Sequence, residues 1–229
     1  MNVRPRYHVL AHDRELFSRI GNNLLHDPQA LVSAGVMYKK GRRGHSARVE
    51  LEGKAYFLKQ YYSRGGIYRL IDLFRGSRGR KAWRVTLRML EAGLAVPRPL
   101  IYAEERQCGI WRNGYLLMEF VDGARDFRNL WEESDFERRM QMAGKAGAAI
   151  AELHKNRFVH GDLKWYNILC LDSGDALVFS DLDGARRPYV CPRRALRADL
   201  ARFLADFDEV ADGEEGRNRF LTAYRSVGQ

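Results

Sequence analysis

Residues Phe158–Asp183, FVHGDLKWYNILCLDSGDALVFSDLD, decide the fold of this chain. The apolar runs Ile168–Leu171 and Ala176–Phe179 each predict a short strand, and the polar residues Asp172–Asp175 between them are typical of a turn. The stretch therefore predicts a β-hairpin that is preceded by a polar loop.

Polar side chains lie just before the first strand and just after the second strand of this hairpin. The loop before it contains a histidine, an acid, a lysine and an amide, namely His160, Asp162, Lys164 and Asn167, and Asp181 falls just past its end. Because a hairpin brings its two ends together, we expect Asn167 and Asp181 to meet. Amide and carboxylate oxygens suit Mg²⁺, and Asp162 is near enough to accept a proton, so the set suits phosphoryl transfer.

The run His160-Gly161-Asp162-Leu163-Lys164-x-x-Asn167 resembles the catalytic loop H-R-D-L-x-x-x-N of the protein-kinase superfamily, with Gly161 in place of the arginine. Asp181-Leu182-Asp183-Gly184 stands where D-F-G would be. The missing arginine pairs with a phosphorylated activation loop, so the sequence points away from loop-phosphorylated protein kinases. In detail the chain resembles the bacterial lipopolysaccharide core kinase family, which phosphorylates heptose or Kdo sugars of the inner core.

The resemblance implies a role for each polar residue of the loop. Asp162 would orient and deprotonate the acceptor hydroxyl, and Lys164 would neutralise the γ-phosphate of ATP. Asn167 and Asp181 would hold the Mg²⁺ that bridges the β- and γ-phosphates. His160 would fix the loop by stacking and hydrogen bonding, and an imidazole base is the alternative.

Two further acids carry open alternatives. Asp183 stands at the glycine of D-F-G, where it could reach a second metal ion, form a turn, or replace Asp181 as the main ligand. We favour Asp181 because the apolar strand runs up to it and Leu182 matches the packing residue after a metal aspartate. The resemblance places Asp199 where kinases bury an aspartate that hydrogen-bonds the catalytic-loop backbone, and a surface acid is the alternative.

The first half of the chain has the pattern of an antiparallel sheet. Residues 36–62 alternate apolar and polar side chains and break at two glycine-containing turns, which predicts three strands. Gly41 and Gly44 would let backbone N–H groups approach nucleotide phosphates, although this turn also fits a plain hairpin. Lys59 resembles the kinase strand lysine that holds the α- and β-phosphates, and one more exposed lysine is the alternative.

Apolar residues that recur from Trp83 to Leu90 predict a helix over Lys81–Ala92, where the αC helix of a kinase would stand. In kinases an acid on this helix pairs with the strand lysine, but the matching position here is Ala82, and Glu91 lies at the wrong end. Either an acid from elsewhere supplies the partner or the lysine acts unpaired. This departure motivates one alternative, a pseudokinase that binds a partner.

Together these features predict an α+β, bilobal protein-kinase-like fold. Residues 1–119 would form an N-lobe with an antiparallel sheet and one main helix, and residues 120–229 would form a reduced, mostly helical C-lobe. A hinge at about 119–123 would offer backbone groups of Glu119 and Val121 to adenine. Further helices are predicted at Arg14–Leu25, Ser134–Asn156, Arg193–Leu204 and Glu215–Ser226.

The composition is that of a soluble globular protein, with 45% hydrophobic and 30% charged residues in a chain of 229. There is no apolar run of membrane-spanning length and no signal-peptide pattern, so we expect a cytoplasmic protein. The three cysteines, Cys108, Cys170 and Cys191, lack metal-ligand spacing, and we expect neither a disulfide nor a zinc site.

The net charge of +10 attracts anions. Nucleic acid, anionic lipid headgroups, a phosphorylated glycolipid and a merely solvated basic surface all fit the charge alone. Combined with a kinase site, it favours an anionic glycolipid acceptor at a membrane surface, and we expect no nucleic acid partner. The basic residues of segment 61–82 could meet acceptor phosphates or lipid headgroups, or could be solvated surface.

The leading hypothesis is therefore an enzyme that uses ATP and Mg²⁺ to phosphorylate a sugar hydroxyl of the lipopolysaccharide inner core, heptose or Kdo. It would act peripherally at the cytoplasmic face of the inner membrane of a Gram-negative bacterium. The alternatives are a kinase for a small metabolite or antibiotic and the pseudokinase. The positive charge disfavours cationic small-molecule substrates.

Overall fold

The computed structural model describes residues 6–63, 77–107, 110–171, 176–190 and 192–227. The chain divides into a first unit, Met1–Leu87 with Pro97–Phe120, and a second unit, Arg88–Val96 with Val121–Gln229. The expectations for the turn Asp172–Asp175, for residues 64–76 of the basic segment and for two of the cysteines, Cys108 and Cys191, lie outside the described residues.

A six-stranded antiparallel sheet forms the first unit, in the order β1-β5-β6-β4-β3-β2. Its strands are β1 (Arg6–Ala11), β2 (Val36–Gly41), β3 (Gly44–Leu51), β4 (Lys54–Tyr62), β5 (Pro99–Gln107) and β6 (Ile110–Glu119). The three strands predicted over residues 36–62 are confirmed as β2, β3 and β4. The sequence did not predict β1, whose partner β5 lies far along the chain, so that pairing leaves no local signal.

Helices cover both faces of this sheet because its strands alternate apolar side chains between the two faces. The helices α1 (Arg14–His26) and α2 (Pro28–Ala34) pack against one face, where Ile20 and Leu24 meet core residues such as Leu58. On the opposite face, Trp83 of the helix α3 (Arg78–Glu91) packs in a cluster with the β5 residue Tyr102. The helices predicted at Arg14–Leu25 and Lys81–Ala92 are confirmed as α1 and α3.

A buried carboxylate, Glu104, lies on the face that α3 covers. It is 2% exposed and accepts hydrogen bonds from Ser77 at 2.6 Å, Arg80 at 2.7 Å, Arg106 at 2.9 Å and Tyr102 at 3.1 Å. Burial alone would raise the pKa of Glu104, but the Ser77 and Arg106 hydrogen bonds and the charge of Arg80 outweigh it and lower the pKa. Glu104 therefore joins the start of α3 to β5 as a charged group.

The second unit is mostly helical. Its helices are α4 (Phe127–Glu133), α5 (Phe136–Lys155), α6 (Pro192–Ala205) and α7 (Gly213–Val227). A small sheet accompanies them, in the order β7-β8-β9, with β7 (Arg125–Asp126), β8 (Ile168–Cys170) and β9 (Leu177–Phe179). The antiparallel pair β8–β9 confirms the two strands of the predicted hairpin.

Aromatic side chains form the core of the second unit. Trp165, which directly follows Lys164, has its ring centroid 4.8 Å from that of Phe127 and 4.8 Å from that of Phe207, and its indole N–H donates to the backbone oxygen of Phe203 at 3.1 Å. Each such edge-to-face pair adds roughly 0.5–1.5 kcal/mol beyond its buried area. The polar loop is therefore anchored in the unit's core at the residue after its lysine.

The small residues of α5 allow close packing against α7. A Cβ atom on Gly147 would lie 2.3 Å from the backbone oxygen of Phe220, so only glycine fits at this crossing. The long helix and the last helix therefore pack with their backbones in close contact at this crossing.

Candidate active site

The end of the β8–β9 hairpin brings the two predicted metal ligands to one place. Ile168 is paired with Phe179, and the backbone N–H of Ser180 donates to the backbone oxygen of Asn167 at 2.9 Å. Asn167 and Asp181 therefore flank the same end of the hairpin. Asp181 has a left-handed backbone, with φ 51° and ψ 53°, and this turns the chain sharply out of β9.

The side chain of Asn167 is oriented by the loop that carries Asp162. Its amide N–H group donates to the backbone oxygen of Asp162 at 2.8 Å and lies 3.4 Å from the carboxylate oxygen Oδ2 of the same residue. Since the nitrogen is used in this way, the amide oxygen is the atom that can bind a cation. The predicted ligand and the predicted base are thus held in contact.

The donor set at the hairpin end fits Mg²⁺. The amide oxygen of Asn167 and the carboxylate of Asp181 are hard oxygen ligands, and Mg²⁺ is usually bound by one or two carboxylates together with phosphate oxygens and water. An amide oxygen and a single carboxylate therefore suit an ion that also takes phosphate oxygens and water as ligands.

Asp199 of α6 holds the start of the polar loop through its buried carboxylate. This carboxylate is 1% exposed and accepts hydrogen bonds from the backbone N–H groups of His160 and Gly161, the latter at 2.9 Å. Burial would raise its pKa, but the nearby His154 and these two N–H groups outweigh that effect and lower the pKa of Asp199. Asp199 is therefore a buried anion and not a surface acid.

His160 lies inside the second unit and not on its surface. It is fully buried, and its Nε2 atom lies 2.8 Å from the backbone oxygen of Ser180, so the imidazole connects the loop to the strand before Asp181. Burial lowers the pKa of His160 against the opposing charges of Asp199 and Asp181, and the ring is neutral near pH 7. This placement favours the positioning role over the imidazole base.

Gly161 occupies a position that only glycine can fill. Its φ is +84°, and a Cβ atom there would lie 2.4 Å from the backbone oxygen of Gly184. The arginine found at this point in protein kinases would therefore collide with the segment after Asp181. An arginine from another element contacts this residue instead: Arg202 of α6 donates to the backbone oxygen of Gly161 at 3.1 Å.

Two cations border the carboxylate of Asp162. Lys164 Nζ lies 3.5 Å and Arg202 Nε lies 3.8 Å from the same oxygen, Oδ1. Lys164 was predicted from the sequence, whereas Arg202, which lies beyond the hairpin on α6, was not. The sequence signal that could have identified Arg202 is its position three residues after Asp199, because residues three apart on a helix lie on the same face.

The predicted nucleotide-contacting residues of the first unit lie on β2, β3, β4 and β6. Gly41 and Gly44 face each other across the β2–β3 turn, and Gly44 has φ +153° with no room for a Cβ atom beside the backbone of Gln60. Glu119 ends β6, and its N–H donates to the backbone oxygen of Arg98 at 2.9 Å. Val121 begins the segment Val121–Gln229, which belongs to the second unit.

Lys59 is 9% exposed, so it is not one of the exposed lysines of this basic chain. It is paired with Leu116 across β4–β6, and Leu116 is paired with Tyr102, so Lys59 lies on the sheet face that α3 covers. Ala82 of α3 is buried on that face. At Ala82, the position that the kinase resemblance matches to the acid of the kinase helix, α3 therefore presents a methyl group.

Comparisons with known proteins identify the family of this chain. The model of the lipopolysaccharide kinase (Kdo/WaaP) family matches residues 29–224. The 3-deoxy-D-manno-octulosonic acid kinase of Pasteurella multocida (strain Pm70) is 32% identical over 133 residues, which cover 55% of this chain and about half, 54%, of that relative.

Among solved structures, the chain is similar to WaaP in complex with acyl carrier protein, with a TM-score of 0.68 and 21% identity over 96% of this chain and 89% of that one. This likeness shows a shared fold and confirms the predicted α+β, protein-kinase-like fold class. Because the family model spans most of the sequence, the chain belongs to the lipopolysaccharide kinase (Kdo/WaaP) family.

Proposed function

We propose that this chain is an ATP-dependent kinase that phosphorylates a sugar hydroxyl of the lipopolysaccharide inner core, heptose or Kdo. The observation that carries the proposal is the end of the β8–β9 hairpin, where Asn167 and Asp181 flank one position and Asp162 is hydrogen-bonded beside it. Family membership supports the class of acceptor.

In the proposed reaction the acceptor hydroxyl attacks the γ-phosphorus of ATP. A new oxygen–phosphorus bond forms, the bond from the γ-phosphorus to the bridging oxygen of ADP breaks, and the hydroxyl proton passes to Asp162. Lys164 neutralises charge on the transferred group. Asn167 and Asp181 would hold Mg²⁺, which would neutralise charge on the phosphates of ATP. General-base assistance of this kind contributes roughly 10²- to 10⁴-fold to the rate.

The first unit would bind the nucleotide. Lys59 would hold the α- and β-phosphates, and backbone N–H groups near Gly41 and Gly44 would cover them. Backbone groups of Glu119 and Val121 would bind adenine. The burial of Lys59 on the α3 face and the glycine-only backbone at Gly44 support these assignments.

The acceptor we propose is an anionic glycolipid, which the protein would reach by peripheral contact with the cytoplasmic face of the inner membrane. The net charge of +10 supports attraction to such a surface, where each basic residue near an anionic membrane contributes roughly 1 kcal/mol. No helix in the described part of the chain is both long enough and apolar enough to cross a bilayer.

The test is phosphate transfer from radiolabelled ATP and Mg²⁺ to a purified inner-core glycolipid, with the product analysed by mass spectrometry. The proposal expects one added phosphate on a sugar and a loss of rate of roughly 10²-fold or more in Asp162→Asn. Asp208→Asn, a change at an exposed acid of the same unit, is the matched control and should retain the wild-type rate. A wild type and an Asp162→Asn variant that are equally inert would contradict the proposal.

The pseudokinase alternative rests on Ala82, because α3 offers a buried methyl group where kinases carry an acid. A pseudokinase would transfer no phosphate, and Mg²⁺ with ATP would not raise its melting temperature. The proposed kinase should be stabilised by Mg²⁺ and ATP according to the ratio of ligand concentration to Kd.

A further inference from the structure

Arg202 lies beside the proposed catalytic base Asp162, and its guanidinium group has more hydrogen-bond donors than its contacts with the loop use. Its side chain is 40% exposed, donates to the backbone oxygen of Gly161 at 3.1 Å, and lies 3.8 Å from Asp162 and 3.9 Å from Asp199. The last two distances are ion-pair contacts and are too long for hydrogen bonds. The guanidinium group has five N–H donors, and within the described part of the chain one of them, on Nη1, is used in a hydrogen bond, that to Gly161.

The loop itself needs little help from Arg202. The buried carboxylate of Asp199 already accepts the backbone N–H groups of His160 and Gly161, and Trp165 anchors the other side of the loop in the aromatic core. A partly exposed cation adds little to the stability of a loop that is fixed at two points. Its position beside the carboxylate that would accept the acceptor's proton is the more informative feature.

The two cations at Asp162 suit different anions. Lys164 precedes the anchored Trp165 and is assigned to the transferred phosphate, so a second cation on the same carboxylate oxygen has another use. An arginine presents a planar pair of N–H donors that matches a carboxylate with two parallel hydrogen bonds, whereas a lysine provides a single point charge. Because Arg202 Nε lies 3.8 Å from Asp162 Oδ1, one sugar ring that carries both a hydroxyl and a carboxylate could contact the two side chains together.

The geometry points to Arg202 as the group that binds the carboxylate of an acidic sugar acceptor while Asp162 binds its hydroxyl. This inference rests on the proposed function and narrows it, because a 3-deoxy-octulosonic acid carries such a carboxylate and a heptose does not. Arg202 would thereby select acid sugars over neutral sugars.

The test compares two acceptors that differ only at this group. One is a glycolipid that ends in a 3-deoxy-octulosonic acid, and the other is the same glycolipid with that carboxylate converted to its methyl ester. Initial rates are measured with wild type, Arg202→Gln and Arg202→Lys. Arg197→Gln, a change at an exposed arginine of the same helix, is the matched control. Melting temperatures verify that each variant is folded.

Wild type should prefer the free acid by roughly 10- to 100-fold in kcat/KM, the range expected for hydrogen bonds to a charged group. Arg202→Gln should lose that factor on the acid, mainly through KM, and should lose little on the ester. Arg202→Lys should retain part of the preference, and Arg197→Gln should retain all of it.

Two results would overturn the inference alone. If Arg202→Gln lowers the rates on the acid and on the ester by the same factor, Arg202 only positions the loop. If wild type phosphorylates the acid and the ester equally, the carboxylate is not read, although the proposed function stands. Transfer to neither acceptor would refute the proposed function itself, and this inference with it.

Discussion

The substitution Asp199→Asn should destabilise the second unit strongly. The carboxylate is buried and accepts two backbone N–H groups, those of His160 and Gly161. Hydrogen bonds to a charged group contribute about 1.5–3 kcal/mol each. An asparagine keeps one acceptor oxygen but turns an NH₂ group toward the other backbone N–H. We therefore expect the free energy of unfolding to fall by roughly 2–4 kcal/mol, measured by urea denaturation at pH 7.

The pH dependence of this effect has a definite sign. The pKa of Asp199 is lower in the folded protein than its ordinary value of 3.8, so its contribution to stability is present above that value and is lost as the pH falls through the folded pKa. The difference in unfolding free energy between wild type and Asp199→Asn should therefore shrink below about pH 4. A difference that stays constant down to pH 2.5 would refute the assignment of a buried anion.

Asp208 provides the control for this experiment. Its side chain is 69% exposed and pairs with Arg217 at the surface of the same unit. Exposed ion pairs contribute about 0–1 kcal/mol, so Asp208→Asn should change the unfolding free energy by less than about 0.5 kcal/mol. If Asp199→Asn costs no more than this control, the loop is not held by the buried carboxylate.

Three further predictions concern single positions. Glu104→Gln should lower the unfolding free energy of the first unit by roughly 2–4 kcal/mol, because it removes the charge from a buried network with two arginines, and an unchanged urea midpoint would contradict that role. Gly161→Ala should abolish phosphate transfer, since its Cβ atom would lie 2.4 Å from the backbone oxygen of Gly184; a variant with wild-type rate and melting temperature would show that this approach can relax. Asp181→Asn should raise the Mg²⁺ concentration needed for half-maximal rate by roughly 10-fold or more while Asp183→Asn changes it less, and the reverse order would make Asp183 the main ligand.

Local sequence pattern was sufficient to predict the hairpin and the β2–β4 strands, because each depends on residues that are close along the chain. The loop residues His160 to Asn167 could be placed before the hairpin for the same reason. Asp199 was predicted only through the kinase resemblance, since nothing in a helix sequence shows which acid is buried.

Features that depend on distant packing were missed. The strand β1 pairs with β5, and its six residues alone carry too weak a pattern to predict a strand. Arg202 lies near Asp162 because α6 packs against the loop. Glu104 is buried on the face of β5 that α3 covers, where it pairs with Arg80 of that helix. Charged residues in these positions look like surface residues until the fold brings their partners together.

The most direct test of the metal site is phosphate transfer from ATP to the inner-core glycolipid by wild type, Asn167→Ala and Asp181→Asn at increasing Mg²⁺ concentrations. Wild type should add one phosphate to a sugar. Both variants should lose the reaction at low Mg²⁺ and recover part of it at high Mg²⁺, because the amide and the carboxylate at the hairpin end are proposed to hold one ion. Variants with the same Mg²⁺ dependence as wild type would contradict this site.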